Sequence, residues 1–326
     1  MKVLVTGASG FLGSHIAEQL ALAGHEVRLL LRPTSSRAFL TFPFELAAGD
    51  VTKPDSLPAA VSGVKAVVHA AGLVKARSEA EFRVVNGQGT ANLVSAASEA
   101  QPAIHRFVYV SSLAAHGPSP NGRPRPLDAP ARPVSAYGGS KLLGEQAVRT
   151  SSLAARGVIF RPPVVYGPRD PAFVPIFGLA RRRLAPLLNG GRNRISAVYA
   201  QDAARAIAEA ATSDYAVDGK TYTLDDGEVH TSRVLALAIA AAIDRRVIRF
   251  SAPFWTYQAA ALANEIFGLI TGRAVMLTRD KLRELRQPNW VCDHAALNAD
   301  TGWTPAVPLA EGMRLTAAWY QEHGWI

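Results

Sequence analysis

Gly7-Ala8-Ser9-Gly10-Phe11-Leu12-Gly13 constrains this chain more than any other segment. It follows the apolar run Val3-Leu4-Val5 and opens a stretch from Gly10 to Ala23 with Phe11, Ile16 and Leu20 among its apolar positions. The pattern reads as strand, tight turn, helix. Glycines there let backbone N–H groups approach a ligand, and the helix N-terminus adds partial positive charge. A pyrophosphate is the ligand such a turn suits. Gly7, Ser9, Gly10, Phe11, Leu12 and Gly13 are therefore candidate cofactor contacts.

The rest of the chain repeats the alternation. Strands are expected at Val27–Leu31, Phe44–Ala47, Ala66–His69, Phe107–Ser111 and Gly157–Arg161, with helices at Gln88–Ala100 and Gly138–Thr150 among those between them. Such alternation predicts an α/β fold, a Rossmann-type doubly wound parallel sheet with right-handed crossovers. Prolines 118, 120, 124, 126, 130 and 133 exclude regular structure from that span, and a loop so long is usually functional. A helix is expected over Pro175–Leu188. Ser196–Tyr199 and a helix at Ala203–Ala211 look like a return to the main domain. The expected organisation is a cofactor domain over 1–167 with 195–224 returning to it. Residues 168–194 and 225–326 would form a smaller C-terminal α/β substrate lobe.

Composition narrows the function classes. The formal charge is +9, from 35 Lys and Arg against 26 Asp and Glu. The basic residues are scattered, the densest runs being Arg181-Arg182-Arg183 and Arg192-Asn193-Arg194, and no nucleic-acid module accompanies them. A solvated face or an anion-lining loop is the reading for these runs. Cys292 is the only cysteine, so no intrachain disulfide and no zinc cluster is expected. The start lacks the features of a signal peptide. No stretch approaches ~18 uninterrupted apolar residues. The nearest, Ala252 to Ile270, is broken by Gln258, Asn264 and Glu265. A cytoplasmic protein without stable membrane insertion is expected, with a small-molecule substrate.

The second strand ends in Leu31-Arg32-Pro33-Thr34-Ser35-Ser36-Arg37. An acid that binds the adenosine ribose belongs ~20 residues past the glycines, and none stands here. Arg32 can pair with a 2′-phosphate, assisted by Ser35, Ser36 or Arg37. The expectation is NADP(H) in preference to NAD(H). After the third strand, Asp50 can accept from the adenine amino group while Val51 packs on the ring. A plain turn Asp is the simpler alternative.

Tyr137-Gly138-Gly139-Ser140-Lys141 puts a phenol and an ammonium on one face of a helix. A nearby cation stabilises a phenolate, and the phenol can then exchange a proton with a substrate oxygen. That spacing alone is common. Its surroundings make it specific. His69-Ala70-Ala71-Gly72, Val85-Asn86 with Gly89-Thr90 and Asn92, Tyr109-Val110-Ser111-Ser112, the run Arg161 to Pro168, and Asp202 before a helix follow one another in order. With Gly7–Gly13 and the Tyr137 segment, they make the chain similar over nearly its whole length to the extended short-chain dehydrogenases/reductases. The nearest character is that of hydroxysteroid dehydrogenases and dihydroflavonol-type reductases.

The resemblance implies roles. Ser112 would polarise a substrate oxygen. Tyr137 would exchange the proton. Lys141 would lower the phenol's pKa and bind the nicotinamide ribose. Ala70, Ala71, Gly72, Pro162 and Val164 would border the cofactor. Asn86 is expected to support the sheet or an ordered water, and His116 to be structural. Family members commonly pair through two helices, so a homodimer through Gln88–Ala100 and Gly138–Thr150 is possible.

Three reaction readings follow. A ketone/alcohol oxidoreductase fits Arg32 and the aromatic segment 253–272, which can line an apolar pocket. A nucleotide-sugar epimerase is the alternative. Dehydratases are disfavoured, because Leu113 and Ala114 stand where they carry acids. Sugar-nucleotide members often have Arg where Ile195 stands. A redox-sensing binder without catalysis is the third, opposed by the intact Ser112, Tyr137 and Lys141. The expected site is a cleft with Ser112 and Tyr137 at its floor and residues of 118–133 and 253–272 on its walls.

Overall fold

The computed structural model describes all residues, Met1–Ile326. Six parallel strands form in chain order: β1 (Lys2–Thr6), β2 (Glu26–Leu31), β3 (Glu45–Ala48), β4 (Ala66–His69), β5 (Arg106–Val110) and β6 (Gly157–Arg161). A seventh, Thr221–Thr223, adds beside β6, and the spatial order is Thr221–Thr223, β6, β5, β4, β1, β2, β3. Strand order reverses between β1 and β4, where α/β sheets bind ligands.

Both faces of the sheet are buried, so its strands are near-continuous apolar runs. Side chains alternate between faces. Val3, Val5, Leu29, Val68, Val108 and Phe160 pack under the helices Phe11–Leu22 and Ala200–Thr212. Leu4, Leu30, Val67, Phe107, Tyr109 and Ile159 face the other way with Leu57, Leu93 and Val148. A third core joins Tyr166 and Tyr199, of the short strands Val164–Tyr166 and Ala197–Tyr199, to Phe177, Ile239, Met313 and Tyr320, of the helices Val174–Arg181, Ser232–Ala242 and Leu309–Glu322.

One expectation needs correction. The helix expected over 175–188 ends at Arg181. Arg183 adopts φ +61°, and Leu184–Pro186 then pairs as a strand with Ile248–Phe250, so the segment turns into a small sheet. The stretch after 225 packs on two cores. Leu297 and Trp303 lie in the same core as Val3 and Val5, while Ile239 and Met313 belong to the third core.

Candidate active site

The glycine turn sits at the switch point. Gly7 has φ +78°, and a Cβ there would lie 2.5 Å from the Ala71 amide nitrogen. At Gly13 a Cβ would come within 2.2 Å of the Gly7 carbonyl oxygen, so this glycine lets the helix rest on the strand end. Thr6 ties the two loops together: its Oγ1 lies 2.7 Å from His69 Nδ1 and accepts from Ala71 N at 3.2 Å. Burial holds the His69 imidazole neutral, lowering its pKa to about 3.

This turn fits a dinucleotide phosphate. The helix Phe11–Leu22 has Gly10 as N-cap, no side-chain cap and no acid in its first turn. The first helical donor to find a backbone acceptor is Ser14, on Gly10 O, which leaves the N–H groups of Phe11, Leu12 and Gly13 free. Arg32 is exposed at the end of β2 and makes no ion pair, and its backbone N–H donates to Ser35 Oγ at 3.1 Å. Asp50 Oδ1 accepts from Thr52 N and Thr52 Oγ1, both at 2.9 Å, so half of that carboxylate is committed to its own turn. Val51 is buried against the position where a Gly89 Cβ would stand.

Asn86 clamps the loop after β4. It accepts from Leu73 N at 2.7 Å and donates to Leu73 O at 3.0 Å and Ser140 Oγ at 2.9 Å. Its side chain is thus spent on holding Gly72 and Leu73 against the Tyr137 helix, Ala136–Arg149. Pro162 is buried and its carbonyl accepts from Leu113 N at 2.8 Å, next to Ser112. Val164 starts a short strand paired with Ala197–Tyr199. Buried His116 bonds Ala129 O at 3.2 Å within the proline-rich loop.

Ser112 caps the short helix after β5, accepting from Ala114 N at 3.1 Å. Its O–H is left to donate. Tyr137 begins the next helix, half-buried beside Phe82 at 5.8 Å between ring centroids. Burial pushes the phenol up to about 12, the Ser112 hydroxyl pulls it down, and the Glu284 carboxylate pushes it further up. Lys141 is buried, donates to Val110 O at 2.6 Å and lies 4.6 Å over the Tyr109 ring. Burial lowers its pKa to about 7 against the opposing pull of Glu145.

Sequence reasoning missed the segment Thr278–Glu284. Asp280 accepts from Ala136 N at 3.0 Å, capping the Tyr137 helix from outside. Buried Glu284 accepts from Ser135 Oγ and, at 2.5 Å, from Lys281 Nζ. Lys281 Nζ in turn stands 5.9 Å over the Tyr137 ring. The pocket beside Tyr137 is lined on one side by Val74, Lys75, Ala76 and Phe82, and on the other by Val275 and Met276 with this polar group. The expected walls, 118–133 and 253–272, contribute nothing to it. The helix Phe254–Thr271 turns Trp255, Leu262, Ile266, Phe267, Leu269 and Ile270 outward, and the chain reverses at Gly272 to bring 275–284 back over Tyr137.

A parallel sheet with an anion-ready turn at its switch point defines a Rossmann-type dinucleotide-binding fold. The chain belongs to the NAD dependent epimerase/dehydratase family, whose model matches residues 3–224. It is 32% identical over 327 residues to a ceramide reductase of Caulobacter vibrioides, covering 99% of this chain and 96% of that protein. To a 2-alkyl-3-oxoalkanoate reductase of Stenotrophomonas maltophilia it is 29% identical, covering 96% and 98%. Among solved structures, the Thermus thermophilus UDP-glucose 4-epimerase complex with NAD superposes with a TM-score of 0.77 at 26% identity, covering 98% of this chain and 99% of that one.

Proposed function

We propose that this enzyme transfers a hydride between NADP(H) and a ketone or secondary alcohol, with Ser112, Tyr137 and Lys141 serving the substrate oxygen. The observation that carries this reading is the wall beside Tyr137. Val74, Ala76, Phe82, Val275 and Met276 line it beside Lys75, Asp280, Lys281 and Glu284, and none of the arginines at 181–183 and 192–194 does. A sugar diphosphate calls for several free cations; here Lys281 is paired with Glu284 at 2.5 Å, which leaves only Lys75 in this lining. The two reductases named above act, by their names, on a ceramide and on 2-alkyl-3-oxoalkanoates, which supports a carbonyl substrate with apolar chains.

The bound nicotinamide would supply or accept the hydride. The free N–H groups of Phe11, Leu12 and Gly13 would hold its pyrophosphate. Ser112, with its O–H free to donate, would polarise the carbonyl. Tyr137 would pass its phenolic proton to the forming alkoxide, and Lys141 would bind the adjoining ribose. Nucleotide-sugar epimerisation is the second reading, favoured by the likeness to the Thermus enzyme. A panel of ketones and UDP-sugars separates the two. Net consumption of NADPH by ketones supports the first; interconversion of UDP-sugars with the cofactor unconsumed supports the second.

Arg32 decides cofactor preference in this reading, since it is exposed, unpaired and free of competing acids. NADPH is expected to bind more tightly than NADH, and Arg32→Ala to narrow the gap. A charge-assisted hydrogen bond is worth roughly 1.5–3 kcal/mol, so the loss should be about 10- to 100-fold in NADPH affinity. Fluorescence titration of both cofactors measures it, and equal affinities in the wild type contradict the assignment.

A further inference from the structure

The helix Phe254–Thr271 is built the wrong way round for a helix whose outer face meets only water. Its only buried residues are small, Ala261 and Gly268, with Phe254, Tyr257, Asn264 and Glu265 half-buried beside them. Its outward stripe is Trp255, Leu262, Ile266, Leu269 and Ile270, spaced to share one face. Trp255 is 67% exposed, Leu269 81% and Ile270 80%. Ile248 and Phe250, on the strand just before the helix, are exposed as well. An ordinary surface helix carries polar residues on this face, and a contiguous apolar patch of this kind marks an interaction surface.

The surrounding charge identifies the partner. Arg245, Arg246 and Arg249 precede the helix, and Arg273 and Arg286 follow it. None of the five makes an ion pair. The acids of the region are otherwise engaged: Glu265 with Arg279 at 2.7 Å, Glu284 with Lys281 at 2.5 Å, and Asp280 with Arg283 at 3.6 Å. Asp244 is the one carboxylate there without a partner. Arg249 and Phe250 also line an open cavity of about 250 Å³ with Arg233, Gly190 and Ser251, at the N-terminal end of the helix. An apolar stripe with Trp and flanking arginines matches a helix that lies in a lipid–water interface. No helix is long and apolar enough to cross a membrane, so this one would lie on the surface.

We infer that this face docks on an anionic phospholipid bilayer, with Phe254–Thr271 lying in the interface and the arginines on the headgroups. A second copy of the chain is a poorer occupant. Self-association across a two-fold axis places the same patch against itself, and it would bring two sets of unpaired arginines together at an electrostatic cost. Docking also reaches the Tyr137 pocket, because Val275 and Met276, which line it, follow the helix within a few residues.

Sedimentation of the full chain with vesicles tests this. Phosphatidylcholine vesicles containing phosphatidylglycerol should bind it, pure phosphatidylcholine much less, and raised salt should release it. Ile266→Glu with Leu269→Glu, both at exposed positions, should weaken binding more than 10-fold with circular dichroism unchanged. A second variant, Arg245→Gln/Arg246→Gln/Arg249→Gln, leaves the apolar stripe intact. At about fivefold per arginine it should weaken binding about 100-fold. Absence of vesicle binding, or equal binding to neutral and anionic vesicles, overturns the inference. So does a wild-type dimer in analytical ultracentrifugation that the Ile266→Glu/Leu269→Glu variant converts to monomer.

Discussion

Tyr137→Phe is expected to lower turnover at least ~10²-fold, the usual scale of a positioned acid–base group, with cofactor affinity unchanged. The substitution removes only the hydroxyl. The ring keeps its contact with Phe82 at 5.8 Å, and the helix keeps its caps from Ser135 and Asp280. The loss should fall on kcat, since the phenolic proton moves only in the chemical step. Steady-state kinetics with NADPH, beside fluorescence titration of the cofactor, separates the two effects. Wild-type turnover in Tyr137→Phe would remove the catalytic assignment.

The largest effect on stability is expected at Glu145. Its carboxylate is buried and accepts from Ser111 Oγ at 2.7 Å, Arg161 Nε at 2.9 Å and an Arg161 terminal nitrogen at 2.8 Å. Arg161 is equally buried and also donates to Leu127 O at 3.3 Å, which ties the proline-rich loop to β6. Glu145→Leu leaves the guanidinium without its counter-ion in the interior. Breaking a buried pair from one side costs about 3–5 kcal/mol. Glu145→Leu/Arg161→Met removes both charges and should recover most of the loss. Urea unfolding midpoints measure both variants. A Glu145→Leu protein as stable as the wild type would mean the pair is not what holds this helix to the sheet.

The same residue links fold to chemistry. Glu145 lies one turn beyond Lys141, and its charge holds the Lys141 pKa above where burial alone would leave it. The pair Glu145–Arg161 therefore positions the active-site helix and supports the protonated form of its lysine.

The sheet was legible because its strands are buried on both faces. β4 and β6 fall at the expected residues, Ala66–His69 and Gly157–Arg161, and β1, β2, β3 and β5 within a residue or two, while the short edge strand Thr221–Thr223 was not expected. The glycine turn was legible for a steric reason: Gly7 and Gly13 have no room for a Cβ. What the chain hides is what depends on distant partners. Ser135 and Glu284 are 149 residues apart, and Asp280 and Glu284 sit in a segment that reads as an ordinary charged helix. The helix Phe254–Thr271 is apolar on two sides, with Ala261 and Gly268 inward and Leu269 and Ile270 outward. Its periodicity does not say which side faces the protein. Reading it as a pocket wall put Trp255 and Phe267 inside, but both face outward. Lys141 was similarly half-legible. Its place on the Tyr137 face follows from spacing, but its bond to Val110 O and its burial do not.

The central claim is net hydride transfer to a carbonyl at Tyr137. The most direct measurement is to supply NADPH deuterated at nicotinamide C4, in both stereochemical forms, with the best ketone of the panel. One form should deliver its deuterium to the carbinol carbon of the product alcohol, with one NADP⁺ formed per alcohol. Tyr137→Phe should make little of either. Label that stays on the cofactor while UDP-sugars interconvert would contradict the account and assign the site to epimerisation.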